Sequence, residues 1–174
     1  MDGMPELVGN HTDIRFKEVH KLLNSRTKAN KDNSVIISSF FNSKATAKLR
    51  DYFQQERGWQ WFEIDTRMNS FMAALNSLKW NPEDVRIIYC GTNLGGCINS
   101  STETSAVPMS SMDWKCVIYL PGISEDEMPG ATYVEKYNQG ISKLYRSIQM
   151  SYRAIDNIKI VGTYDELEEL KSDK

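Results

Sequence analysis

Short apolar runs without polar alternation are the feature that most constrains the fold of this chain. The runs at 34–41 (SVIISSFF) and 115–120 (KCVIYL) have the length of a strand and are rich in β-branched and aromatic residues. Such runs are typical of strands that are buried on both faces, as in a parallel sheet between two layers of helices. The sequence therefore predicts strands that are connected by helical crossovers.

The alternation of strands and helices covers most of the chain. Apolar side chains three and four residues apart mark the predicted helices at 13–24, 43–56, 69–78, 133–147 and 164–171. Between them lie the predicted strands at 34–41, 59–64, 85–90, 115–120 and 158–161. We predict a three-layer α/β fold with one mainly parallel sheet, whose central strands are 35–40, 85–90 and 116–120.

The length of 174 residues is typical of one domain. We predict an N-terminal helical segment at 1–33 and an α/β domain at 34–174, with a polar insertion near 100–111. The stretch 100–105 (SSTETS) lacks apolar anchors and is expected to be mobile. No apolar run is long enough to span a bilayer, and the acidic start MDGMPE does not match a signal peptide. We expect no membrane contact and a location in the cytoplasm or the nucleus.

The metal-ligating residue types do not form a recognisable motif. Cys90, Cys97 and Cys116 include no CxxC pair, and His11 and His20 have no cysteine at ligand spacing. The sequence therefore predicts no metal site, and reduced cysteines in or near the core. The net charge is −2, but the N-terminal third is basic, which leaves room for a phosphate-binding surface.

Two segments have the composition of a phosphate-binding site. The stretch 92–99 (TNLGGCIN) follows a predicted strand, and its glycines allow a phosphate to approach backbone N–H groups. In the second segment, Gln139, Lys143 and Arg146 share one helical face at i, i+4 and i+7. An ordinary strand-to-helix turn and a solvated basic face are the alternatives. A GxxxxGK[ST] phosphate loop is absent from the sequence.

In their order along the chain, these segments resemble the second RecA-like lobe of superfamily 2 helicases, and within them the DNA translocases of the chromatin-remodelling type. The stretch 92–99 resembles the family loop TxxGGxG[IL]N with one residue fewer, and VGTYDEL at 161–167 is similar to the family's strand followed by TxEE. Against the family motif QxxGRxxRxGQ the chain keeps Gln139, Arg146 and Gln149. It departs from the motif at Ser142 and Lys143, where the family has glycine and arginine.

The resemblance implies a role for each group of residues. Arg146 would be the arginine finger that stabilises charge on the transferred phosphoryl group, with Lys143 and Gln139 beside it as catalytic residues. The nucleotide would contact Gly95, Gly96 and Asn99. A nucleic-acid backbone would be bound weakly by four further residues: Lys44, Lys48, Arg50 and Thr92.

The resemblance also implies a partner. ATP and Mg²⁺ would be shared with a nucleotide-binding lobe that this chain does not contain, so the chain alone is expected not to hydrolyse ATP. The partners would be that N-terminal helicase lobe, or another protein, and a nucleic acid.

Two other functional classes remain open from the sequence. One is a non-enzymatic interaction module on a nucleotide-binding-like α/β fold, since a fold does not confer an activity. The other is a metal-dependent nuclease, in which the Asp113-Trp114-Lys115 triplet would act with Asp65 and with Glu83 or Asp84 on a scissile phosphate.

Overall fold

The computed structural model describes residues 35–38, 44–56, 58–125 and 133–170, together with Val19, Lys21 and Leu22. The predicted helix at 13–24 lies mostly outside these residues. Among the described residues, none of the helices combines the length and apolar composition that a bilayer crossing requires.

The main sheet has three parallel strands in the order β3-β4-β5, with β3 at Arg86–Thr92, β4 at Lys115–Ser124 and β5 at Ile158–Val161. The residues from Cys116 to Tyr119 are at most 2% exposed, because helices cover both faces of β4. The predicted parallel α/β architecture is confirmed here. β3 and β4 run further than predicted, across an irregularity in register between Tyr89 and Gly91.

The first two strands form a sheet of their own. β1 (Ile36–Ser38) pairs in parallel with β2 (Trp61–Glu63), and between them lie α1 (Lys44–Asp51) and a π-helical turn at Tyr52–Glu56. The prediction that 35–40 is a central strand of the one sheet is wrong for the described residues, whose hydrogen bonds separate two sheets. Ile37 still packs against the main core. This burial explains why the run is apolar, although β2 is the one strand that pairs with β1 among the described residues.

Helices cover both faces of the β3–β5 sheet. The main core lies between one face and four helices, which are α2 (Met68–Leu78), α3 (Ala106–Ser111), α4 (Tyr133–Gln149) and α5 (Tyr152–Asn157). On the other face, Leu22 and the closing helix α6 (Tyr164–Glu169) pack against alternate residues of β4 and β5. The described residues around this sheet therefore form three layers.

The polar stretch at 100–111 is anchored by hydrogen bonds. The Ser105 hydroxyl donates to the Cys97 carbonyl at 2.7 Å, and the Tyr89 hydroxyl donates to the Thr104 carbonyl at 2.7 Å. The residues that follow form α3, in which Ala106 and Met109 are fully buried. The segment 100–105 was expected to be mobile because it lacks apolar residues that could hold it in the core. In the structure, hydrogen bonds hold this segment instead.

Candidate functional site

The glycine-rich segment forms a tight turn directly after β3. Asn93 has a φ of 69°, in the left-handed region, and its N–H donates to the Ser124 carbonyl at the end of β4. A five-residue π-helical turn follows at Leu94–Ile98, which we call the Gly-Gly turn. A methyl group on Gly96 would lie 2.7 Å from Asn93 Nδ2, so a larger residue here would displace the Asn93 side chain.

The Gly-Gly turn lies at the carboxyl edge of the sheet, where the buried carboxylate of Glu125 joins two strand ends. Thr92 is paired with Ser124 across β3 and β4, so both strands end at the same edge. Glu125, 5% exposed, follows β4 and accepts a hydrogen bond from the Leu94 N–H at 2.7 Å. Ligands of parallel sheets bind at this edge.

α4 packs directly on the Gly-Gly turn through two glycines. A methyl group on Gly95 would lie 3.0 Å from Gly140 Cα and 3.1 Å from Lys143 Cδ. A methyl group on Gly140 would lie 3.1 Å from Glu125 Oε1 and 3.2 Å from Gly95 N. The fold thus brings the two segments that the sequence selected into contact with each other, at a spacing that any side chain larger than that of glycine would have to widen.

The polar side chains of α4 are exposed beside this contact. Gln139, Lys143 and Arg146 are all exposed, and none makes a side-chain hydrogen bond or ion pair to another described residue. Lys143 lies next to Gly95, and Arg146 follows it by nearly one helical turn. These three side chains remain available to an anion at this edge of the sheet.

Asn99 is not on the surface of the site but beneath it. Its side chain is 2% exposed, and its Nδ2 donates to the Ser147 hydroxyl at 3.1 Å. Ser147 in turn donates to the Lys143 carbonyl at 2.9 Å, while the buried Asn99 Oδ1 has no hydrogen-bond partner. Asn99 therefore links the Gly-Gly turn to the helical turn that carries Lys143.

The basic residues of α1 are only partly available to a ligand. Lys48 is exposed, whereas Arg50 Nη1 donates to Glu63 Oε1 at 2.7 Å and Arg50 Nε lies 3.5 Å from Asp51 Oδ1. The Glu63 carboxylate also raises the pKa of Arg50. The side chains of Lys44 and Thr92 lie outside the described part. The sequence missed the partner of Arg50 because Glu63 lies 13 residues away on β2.

Two carboxylates of the nuclease hypothesis, those of Asp65 and Asp113, have structural partners. Asp65 Oδ1 accepts hydrogen bonds from the Ser70 hydroxyl and the Arg67 N–H, which lower the pKa of Asp65. Asp113 Oδ1 and Lys115 Nζ both contact the side chain of Asn157. In the described ranges, no three His, Cys, Asp or Glu side chains form a group that could bind a metal ion.

A separate open groove of about 790 Å³ runs between α2 and α3, lined by Arg67, Met68, Asn69, Glu103, Pro108 and Met112. Glu103 Oε2 accepts a hydrogen bond from the Met68 N–H at 2.8 Å at the start of α2. This carboxylate thus satisfies a backbone donor of the first helical turn. The sequence did not single out this groove.

Comparison of the chain with protein-family models, with curated proteins and with solved structures finds no match in any of the three.

Proposed function

We propose that this chain is the second RecA-like lobe of a superfamily 2 helicase or DNA translocase with degenerate motifs. The observation that carries the proposal is the contact of Gly95 with Gly140 and Lys143 at the carboxyl edge of β3 and β4. It supports the proposal because the two segments belong to separate motifs of the resembled family, 40 or more residues apart in the sequence. The helix also buries Tyr137, Leu144 and Ile148 in the main core, and this packing holds its exposed face beside the turn.

In this function α4 supplies cations to a nucleotide that another lobe binds. Arg146 and Lys143 are exposed and lack partners among the described side chains, so they can reach phosphate oxygens across an interface. Lys143 is a point charge that cannot form the two parallel hydrogen bonds of an arginine. We therefore expect weak catalytic support. The isolated chain is expected to show no ATP turnover, and turnover that persists in Arg146→Ala would contradict this assignment.

Nucleic-acid binding by the chain is expected to be weak and independent of sequence. The Arg50–Glu63 ion pair leaves Lys44 and Lys48 as the cations of the proposed patch. Two neutralised phosphates correspond to a slope of about −2 in a plot of log affinity against log salt concentration. Contacts to phosphates carry no information on the base sequence.

The experiment is a fluorescence-anisotropy titration of labelled single- and double-stranded DNA and RNA at low salt. Lys44→Glu combined with Lys48→Glu should abolish binding, because each change adds repulsion to the loss of a contact. Lys159→Glu, an exposed residue of β5, is the control and should reduce affinity far less than the double variant. Equal loss in both variants would mean that only net charge matters, and the helicase assignment would lose its support.

A thiol in the Gly-Gly turn provides a second measurement. Cys97 is exposed, whereas Cys116 is buried and its pKa is raised by desolvation, so alkylation should select Cys97 over Cys116. A nucleic acid that lies along the carboxyl edge should slow the alkylation of Cys97. An unchanged rate at saturating nucleic acid would place the bound strand elsewhere on the chain.

A second candidate function is a non-enzymatic interaction module. The exposed apolar side chains at the end of α4 and on α5, among them Met150 and Tyr152, favour it. The two candidates differ in the titration above, since an interaction module is expected to bind no nucleic acid.

A further inference from the structure

Four of the five large apolar side chains that are exposed in the described part of the chain lie on α5, directly before it or at the end of α3, and the fifth, Tyr145, lies on α4. Met150 is 83% exposed, Tyr152 79%, Met112 50% and Ile155 49%. The Ser111 and Ser151 hydroxyls are 2.8 Å apart, which places Met112 beside the residues that lead into α5. We call these four side chains the α5 patch. Exposed apolar side chains that are grouped in this way on a folded domain favour an interaction site.

The charged residues of α5 indicate which partner would bind the α5 patch. Ala154 and Asn157 anchor the helix in the protein, and successive residues are about 100° apart around its axis. On the outward face, Tyr152 is therefore central, with Ile155 on one flank. Asp156 and Arg153 are both on the other flank. Both are exposed and form no ion pair with another described residue.

This arrangement is complementary to itself. When two helices pack antiparallel about a two-fold axis, each flank meets the same flank of the other copy in the opposite direction. Arg153 of one copy then faces Asp156 of the other, and the reverse pair forms by symmetry. The other flank brings Ile155 close to its own copy, and the two Tyr152 side chains lie at the two ends of the contact. A partner without the opposite charge order would leave both ions unpaired.

We propose that the α5 patch is the interface of a homodimer, with two copies of α5 packed antiparallel. Four side chains of this size bury on the order of 500 Å² per copy, below the roughly 800 Å² of a standard stable interface. The dimer is therefore weak and forms at high protein concentration. This inference is independent of the helicase assignment, because none of its residues belongs to the Gly-Gly turn or to the cations beside it.

The test is sedimentation velocity at loading concentrations from about 5 to 500 µM, where weak dimers of this size are detected. Arg153→Asp should weaken dimerisation by about tenfold or more, since symmetry replaces two attractive pairs with two repulsive ones. Asp156→Arg should do the same. The double variant R153D/D156R restores both pairs with the charges exchanged, so its dimerisation should return to that of the unmodified chain.

Two further variants complete the test. Tyr152→Ser removes apolar area from the contact and should also weaken the dimer, while Lys79→Glu at the end of α2 changes an exposed charge outside the patch and should not. A chain that stays monomeric at every concentration overturns the proposal and assigns the patch to a different protein. A dimer that resists both single charge reversals, or that the double variant fails to restore, has its interface elsewhere.

Discussion

Replacing Gly140 by alanine tests whether α4 and the Gly-Gly turn are packed as tightly as the structure shows. The added methyl group would lie 3.1 Å from Glu125 Oε1, and 3.2 Å from both Gly95 N and Leu94 Cβ. Contacts this short force neighbouring atoms to shift. One of the atoms is backbone, and the Glu125 carboxylate is buried, so little of this strain can be relieved by a side chain that moves into solvent.

The expected magnitude is a balance of two opposing effects. Overpacking of a well-packed site destabilises by about 1–3 kcal/mol. Alanine in a helix interior is more favourable than glycine by about 1 kcal/mol. The free energy of unfolding should therefore fall by about 0–2 kcal/mol in Gly140→Ala. In Gly140→Val it should fall by more, because a β-branched side chain is larger and a weaker helix former.

The assay is urea denaturation, with Ser142→Ala as the matched control. Ser142 is exposed on the same helix, two residues further on, so this variant gains helix propensity without a new contact. It should be slightly more stable than the unmodified chain. If Gly140→Ala is also more stable, and by the full propensity gain of about 1 kcal/mol, the close contact between α4 and the Gly-Gly turn does not exist.

Burial raises the pKa of Tyr89 well above its ordinary value of 10.0, so the folded chain favours the protonated phenol. This stabilisation is complete below about pH 10 and is lost as the pH rises through the folded-state pKa. In Tyr89→Phe, urea denaturation should show a shallower loss of stability above pH 10; an unchanged slope would mean that another group controls it. Asn157→Ala removes hydrogen bonds to Lys115, Asp113 and the Ser110 carbonyl. It should lower the free energy of unfolding by about 2–3 kcal/mol, and a change below 0.5 kcal/mol, within the range of ordinary surface substitutions, would contradict this network.

The local pattern of apolar and polar residues was enough to locate most of the helices and strands. The predicted strand at 158–161 matches β5, and the predicted helices at 69–78 and 133–147 differ from α2 and α4 by one or two residues at their ends. Periodicity is a property of neighbouring residues, so it can be detected without the fold. The short helix α3 was missed because it lies in the stretch 100–111, which the sequence assigned to a polar insertion, and α5 was missed because it follows closely on the end of α4.

Only part of the candidate site could be predicted from the sequence. The Gly-Gly segment and the Lys143 helix were selected separately from their composition, whereas Gly140 was not, although a glycine inside a helical pattern often marks a close contact. Glu125 gave no signal, because its contact with Leu94 joins residues that are 31 positions apart. The basic patch was overestimated for the same reason, since the partner of Arg50 lies on another strand.

The sequence by itself determined that this chain builds parallel strands under helices, because runs such as the one in β4 are too apolar for any strand with a face in water. Only the tertiary structure decided that β1 and β2 form a separate sheet and that Gly95 lies against Gly140. It also decided that Arg153 and Asp156 lie exposed on one flank of α5, without an ion pair to another described residue. The preference of a side chain for burial is a property of that residue alone, whereas contacts between distant residues depend on how the whole chain packs around its core.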